Sequence, residues 1–379
     1  MISVETFSSI DTPAILLDYE QLVDNIRTIQ KTADDNGAVV RPHIKTHKCH
    51  EIARLQFEAG AVGVTTAKTD EAIEFMAHGV GSVTVAYPLV VPAKLDRLFE
   101  AVQQYEAEAR IVMDSEIGLT AISEAAERTG TTGNVLLKVD VGLHRCGLQE
   151  DDPNLLPLVR RAVEEPSLRF LGLLAHAGHA YGAQDSEAVR AIARDECEIL
   201  GRVRKMLEKD GIEVPVVSVG STPTVLASDS WEGITEIRPG NYVFMDRTPL
   251  RLGLIERNKI ALTVLASVVS KNSDYFIVDA GSKTLSSDMG AHGTSSVSEF
   301  GEAYPVDDFA EKRNALSVAK LSEEHGFVAR NDLELEIGSQ VRIIPNHSCV
   351  VANLLGEYVV LKGEGETERW RLAAQSFVH

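Results

Sequence analysis

The segment RPHIKTHKCH, residues 41–50, sets three histidines and two lysines in ten positions of a 379-residue chain whose formal net charge is −19. Such a knot of cations on an acidic chain is either a solvated turn or a place where something is held. Lys45 is its most chemically useful member. A lysine in a partly enclosed site near other cations has its ammonium destabilised and becomes available as an amine, the state that attacks a carbonyl compound. Far downstream, PNHSC (345–349) places His347 and Cys349 two residues apart, so that on a strand both side chains point to one face. Imidazole and thiolate are ligands that zinc prefers, and two protein ligands leave positions open for substrate or water. Two further stretches offer anion-binding chemistry. GSTPT (220–224) supplies hydroxyls from Ser221 and Thr222, and RPGNY (238–242) supplies Gly240, which lets backbone N–H groups approach an anion. Each is weak alone, because Gly-Ser and Pro-Gly also make ordinary turns.

Positioning these residues requires a frame. From about residue 38 to 245, short apolar runs alternate with helical patterns. AVVRP, VGVTTA, SVTVAY, RIVMD, VLLKVD, FLGLLAH, VPVVSVG and ITEIRPG read as strands, and segments such as CHEIARLQFEAG end on glycine as helices tend to. Eight strands separated by helix-length segments predict a (β/α)8 barrel, a TIM-type α/β fold. A doubly wound sheet fits the alternation too, but the count of eight favours the barrel. After residue 250 the chain turns β-rich (IALTVLASVVS, YFIVDAG, SQVRIIPN, EYVVLKG), while 285–335 reads as loop-like. The expected domains are a barrel over 12–250 and a mostly β domain over 251–379, with residues 1–18 as a further contributor to the second.

A barrel builds its site at the carboxyl ends of its strands, and often binds phosphate with the loops after strands seven and eight. Those ends carry Lys45, Arg145, His176, His179 and Arg238, and the last two loops are GSTPT and RPGNY. A phosphate cradle across the mouth from an activated lysine describes a pyridoxal phosphate site.

Composition bounds the partners. Hydrophobic residues make up 44% and charged residues 25%, the profile of a globular chain. The acidity argues against nucleic acid and anionic membrane surfaces. No apolar run reaches bilayer length, and MISVETFSSIDTP lacks a signal-peptide layout, so the cytoplasm is the expected location. Cys49, Cys146, Cys197 and Cys349 lack paired spacing and read as reduced thiols, or as one ligand somewhere.

DTPAILLD, RPHIKTHK, VDVGLHRCG, VSVGSTPT, EIRPGNYVFMD and PNHSC together resemble the D-serine dehydratase and D-threonine aldolase family, fold-type III pyridoxal phosphate enzymes related to alanine racemases. The resemblance runs from about Asp11 to the C-terminus. It implies that Lys45 forms the Schiff base and Arg145 contacts the phenolic oxygen. Tyr181, Ser221, Thr222, Gly240 and Asn241 would surround the phosphate, with Arg238 near the pyridine nitrogen and Tyr242 close by. It places zinc, or another divalent metal, on His347 and Cys349, and leaves His325 either a substrate contact or an ordinary loop histidine. His43 and Arg41 would shape the surroundings of Lys45, while Lys48 and His50 would form the exposed start of the next helix. It further implies a head-to-tail homodimer and a small D-amino acid substrate. Three activities follow: a dehydratase of D-serine or D-threo-3-hydroxyaspartate, an aldolase of D-threonine-like substrates, or a non-catalytic pyridoxal phosphate carrier. The carriers resemble the barrel alone. The aldolases tend to carry aspartate where this chain has Cys349 and a glycine-rich loop where it has GSTPT, which favours the dehydratase.

Overall fold

A computed structural model describes residues 7–290, 298–311 and 313–377. Residues 1–6 and 378–379 of the expected second domain lie outside the described residues, as do 291–297 and 312 of the stretch expected to be loop-like. The chain divides into two compact units. Among the described residues, one comprises Thr28–Ala180, Ser186–Gly240 and 376–377; the other comprises 7–27, Tyr181–Asp185 and Asn241–Gln375.

The first described strand, β1 (Ala14–Asp18), belongs to the second of these units. The next eight are β2 (Val39–Val40), β3 (Val64–Thr66), β4 (Ser82–Val85), β5 (Glu108–Met113), β6 (Gly133–Lys138), β7 (Leu168–Leu174), β8 (Val216–Val219) and β9 (Glu236–Ile237). They form one parallel sheet in the order β2-β9-β8-β7-β6-β5-β4-β3. Its two ends meet through a parallel bridge between His43 and Thr65 and a bond from Val62 N–H to the Val40 carbonyl (3.0 Å). This is the expected eight-stranded barrel, with helices between successive strands. Local signals set where those helices start and stop. Ser115 caps Glu116–Thr129 by accepting from Gly118 N–H, and Gly130 ends that helix in the left-handed region at φ 67°.

The barrel interior is not wholly apolar. Buried Arg41 donates to Glu236 Oε2 (2.8 Å) and to Ser82 Oγ (2.9 Å), Arg110 also reaches Glu236, and Ser218 joins Glu236 to Arg238. Desolvation makes buried ion pairs roughly break even, but deleting one partner strands the other. The network therefore adds little net stability while it is intact.

The second unit is antiparallel apart from one pairing. Strands β10 (Leu262–Lys271), β11 (Tyr275–Val278), β12 (Gly301–Pro305), β13 (Leu316–Leu321), β14 (Gly326–Ala329) and β15 (Gln340–Pro345) pair in the cycle β10-β11-β14-β13-β12-β15-β10. The long β10 serves two neighbours of this ring by shifting register between Val268 and Ser270. It also carries β1 antiparallel, and β1 is continued by β16 (Glu357–Leu361, parallel) and β17 (Thr367–Arg371). The loop-like reading of 285–335 is corrected here, because β12, β13 and β14 lie inside that stretch. Much of each strand alternates between buried and half-exposed positions, and the outward Glu302, Ser317 and Lys320 lent the stretch its loop-like composition.

Candidate active site

Lys45 sits in a short 3-10 turn, Ile44–Thr46, directly beyond β2. The turn is pinned on both sides. Pro239 carbonyl accepts from His43 N–H (2.9 Å), and Cys49 N–H donates to His47 Nδ1 (3.1 Å). Lys48 is buried and paired with buried Glu71 (3.2 Å), and His50 is only half-exposed. The expectation of an exposed helix start at Lys48 and His50 is thus corrected: Lys48 finds its partner on the helix after the next strand, which local sequence does not reveal. Gly240 packs against the same turn. A Cβ there would lie 2.8 Å from Thr46 Oγ1 and 3.0 Å from the His43 carbonyl oxygen, so close backbone approach requires glycine.

Around this turn the barrel mouth gathers cations. Burial first, and then the charges of Lys45, His176, Arg238 and Arg145, hold the His43 imidazole well below its ordinary range. Burial, then Lys45 and Lys138, do the same to His176, whose Nδ1 lies 3.0 Å from the Gly220 carbonyl oxygen. Lys138, at the end of β6, is brought to about 7 by burial and then by Arg238. Arg238 is itself lowered to about 10 by burial, against the opposing pull of Glu236 and Glu196. Arg145 stands exposed at the tip of a turn that folds back on β6 through Leu148 N–H to Lys138 carbonyl (3.0 Å) and Asp140 N–H to Leu148 carbonyl (2.9 Å). His179 lies half-exposed near the same turn, where a Cβ on Gly142 would come within 3.2 Å of its ring.

Ser221 and Thr222 open the six-residue helix Thr222–Ala227, where Ser221 and Thr224 form a reciprocal capping box. Thr222 is buried, and its Oγ1 has no hydrogen-bond partner among the described residues. Buried Glu196 accepts from Ala177 N–H (3.1 Å) and Gly220 N–H (3.4 Å), tying the ends of β7 and β8 together. A set of mutually repelling cations beside an unsatisfied hydroxyl fits an anionic group such as a phosphate and a phenolate.

In the other unit, His347 and Cys349 are not on a strand. β15 ends at Pro345, His347 is the N-cap, and Cys349 lies in the first turn of helix Ser348–Leu355. The apolar run VVANLL after them, closed by Gly356 at φ 81°, favours the helix over a continued strand. The two side chains still meet in this turn. Burial alone would lower the His347 imidazole, but the Asp288 carboxylate and the Cys349 thiol raise it to about 10. Asp288 Oδ2 lies 2.7 Å from His347 Nδ1. A ring nitrogen held by a carboxylate is common in metal-binding histidines, and imidazole with a neighbouring thiol is a donor set that fits a zinc-like ion.

Asp246 organises this turn from below. Fully buried, it accepts from Ser348 N–H (3.0 Å), Asn241 Nδ2 (2.8 Å) and Thr248 N–H (2.9 Å), and burial raises its carboxyl. Asn241 thus supports the Ser348 turn within its own unit. Tyr242 is buried in the 3-10 turn Asn241–Val243, and buried Tyr181 offers its carbonyl to Arg251 (3.1 Å). His325 is exposed in the turn before β14. The sequence reading missed Lys138, Glu196, Asp246 and Asp288. Lys138 was findable as the one charge in an apolar strand, and Asp246 as a helix cap before RTPL. Asp288 carries no such signal.

The family model described as "Alanine racemase, N-terminal domain" matches residues 17–248, and one described as "Putative serine dehydratase domain" matches residues 261–361. D-threo-3-hydroxyaspartate dehydratase of Delftia sp. (strain HT23) is 32% identical over 97% of this chain and 98% of its own length. The chain belongs to the D-serine dehydratase and D-threonine aldolase family. A D-threonine aldolase of Arthrobacter sp. is 30% identical over 98% of this chain and 95% of its own. The solved structure of a cysteine-to-alanine variant of D-threo-3-hydroxyaspartate dehydratase in the metal-free form superposes with a TM-score of 0.88 at 30% identity, covering 96% of this chain and 98% of that one. The family is one of pyridoxal phosphate-dependent lyases. No helix among the described residues is long and apolar enough to cross a membrane.

Proposed function

We propose that this chain is a dehydratase of a D-β-hydroxy amino acid such as D-serine or D-threo-3-hydroxyaspartate, releasing a keto acid and ammonia. The observation that carries the reading is the pairing of His347 with a thiol, Cys349, in a turn braced by Asp288. Lys45 would hold pyridoxal phosphate, with Arg145, Ser221, Thr222 and Gly240 around its anionic ends, Arg238 near its ring nitrogen and Tyr181, Asn241 and Tyr242 nearby. His347 and Cys349 would hold zinc. When bound, the cofactor supplies a sink for charge at Cα and the metal supplies Lewis acidity at the β-hydroxyl.

The chain's own groups do the rest. Lys45 Nζ takes the proton from Cα. Neutral His43 and His176 leave the mouth's positive charge on Arg145 and Arg238, where it would orient the anionic ends of the ligands. Arg238 stays protonated at neutral pH and would give no proton to a ring nitrogen held beside it. A ring held so would be a poorer sink, and His347 and Cys349 would hold the metal that assists at the β-carbon. Family resemblance supports a homodimer.

Product analysis with D-serine, D-threo-3-hydroxyaspartate and D-threonine, with and without chelator, tests the reading. Pyruvate or oxaloacetate with ammonia, lost on chelation, is expected. Glycine and an aldehyde from D-threonine, with no keto acid from any substrate, would replace the dehydratase with the aldolase.

A further inference from the structure

His50 begins helix His50–Ala59 and lies against helix Thr69–Ala77. Its Nε2 is 3.2 Å from Glu74 Oε1, and its ring stacks on His78 with centroids 3.9 Å apart and planes at 27°. Glu74 and His78 are four residues apart and so share a face. One donor atom from each of the three lies within 4.8 Å of the others. His78 Nδ1 lies 2.9 Å from the Glu74 carbonyl oxygen. The same Nδ1 lies 3.2 Å from Glu74 Oε1; with Nδ1–H turned toward Glu74, Nε2 keeps the lone pair that binds an ion.

The spacing also fits. Zinc bonds of about 2.0–2.1 Å set tetrahedral donors roughly 3.3 Å apart, close to the His50–Glu74 separation. His78 is half-exposed at 52%, so it can swing the remaining distance and leave a fourth position to water. Two imidazoles and one carboxylate are a donor set that zinc accepts.

We propose that His50, Glu74 and His78 form a second divalent-metal site for zinc or a similar transition metal, separate from His347 and Cys349. Bound there, the ion clamps the start of the helix that follows the Lys45 turn onto its neighbour, and so steadies that turn. The proposal does not depend on the lyase reading.

The test uses the full, cofactor-loaded chain and zinc alone as probe. The His347→Ala/Cys349→Ala variant should still bind one zinc and melt at a higher temperature with it. Adding His50→Ala and His78→Ala should remove both effects, weakening binding by more than the roughly 10–100-fold that a change behind the ligands costs. Cobalt in the first variant should lack a thiolate charge-transfer band. Should that variant fail to fold, wild type is compared with His50→Ala/His78→Ala, which should hold one zinc fewer per chain. A folded His347→Ala/Cys349→Ala chain that binds no zinc, or equal zinc content with and without His50 and His78, overturns the proposal.

Discussion

Thr222 holds a hydroxyl that is buried and unbonded among the described residues, and an unmet polar group of this kind costs about 1–3 kcal/mol. Thr222→Val, which keeps the shape, should therefore stabilise the cofactor-free chain by ~1 kcal/mol while weakening cofactor binding. A hydrogen bond to a charged group contributes about 1.5–3 kcal/mol, so cofactor affinity should fall roughly 10–100-fold. Urea melts of the cofactor-free protein and a cofactor titration read the two effects separately. Stability that falls with the substitution, or affinity that does not move, would count against an anion at this hydroxyl. Asp288 admits a parallel prediction in the other unit. Because it holds His347 Nδ1 at 2.7 Å, Asp288→Asn should lower zinc affinity by about 10–100-fold without unfolding the chain. Competition with a chromophoric chelator measures it.

Elements explain how much of this was legible beforehand. The eight barrel strands were readable because each is a short apolar run between amphipathic helices, a pattern that parallel sheets buried on both faces impose. Strands β12 and β13 were not, since their outward positions carry the Glu302, Ser317 and Lys320 of a loop-like composition, and four-residue β14 is too short to show a period. The pairing of His347 with Cys349 was anticipated for the wrong local reason. Two-residue spacing brings side chains together on a strand, but here a helix cap does it, and the apolar VVANLL that follows decides between them. Lys48 with Glu71, and His347 with Asp288, join residues far apart in sequence, and no local pattern encodes such pairs. The cap itself is testable. Asp246 receives Asn241 Nδ2, Thr248 N–H and both the N–H and the hydroxyl of Ser348, so Asp246→Ala should destabilise the chain by on the order of 3 kcal/mol and release zinc. Chemical denaturation with metal analysis would show both.

For the molecule as a whole, an acidic chain keeps a cationic barrel mouth, and Lys138 reports its electrostatics. Its amine is lowered from 10.5 to about 7 by burial and then by Arg238. Between those values the unfolded chain binds a proton that the folded chain does not, so this group makes stability rise with pH, by about 1.4 kcal/mol per unit. Lys138→Met should remove that slope between pH 7.5 and 9.5 in the cofactor-free protein, as followed by urea melts. An unchanged slope would mean that Lys138 stays protonated throughout.

Lys138 is also the rival that makes the decisive measurement informative. Lys138 is buried at the end of β6 with its amine lowered to about 7, yet it is not the lysine assigned to the cofactor. Borohydride reduction of the yellow, cofactor-loaded protein, followed by digestion and mass spectrometry, reads which amine carries the label. The account predicts phosphopyridoxyl on Lys45 alone, within Arg41–Lys48, and no labelled protein from Lys45→Ala. A label on Lys138, or none on any lysine, would contradict it.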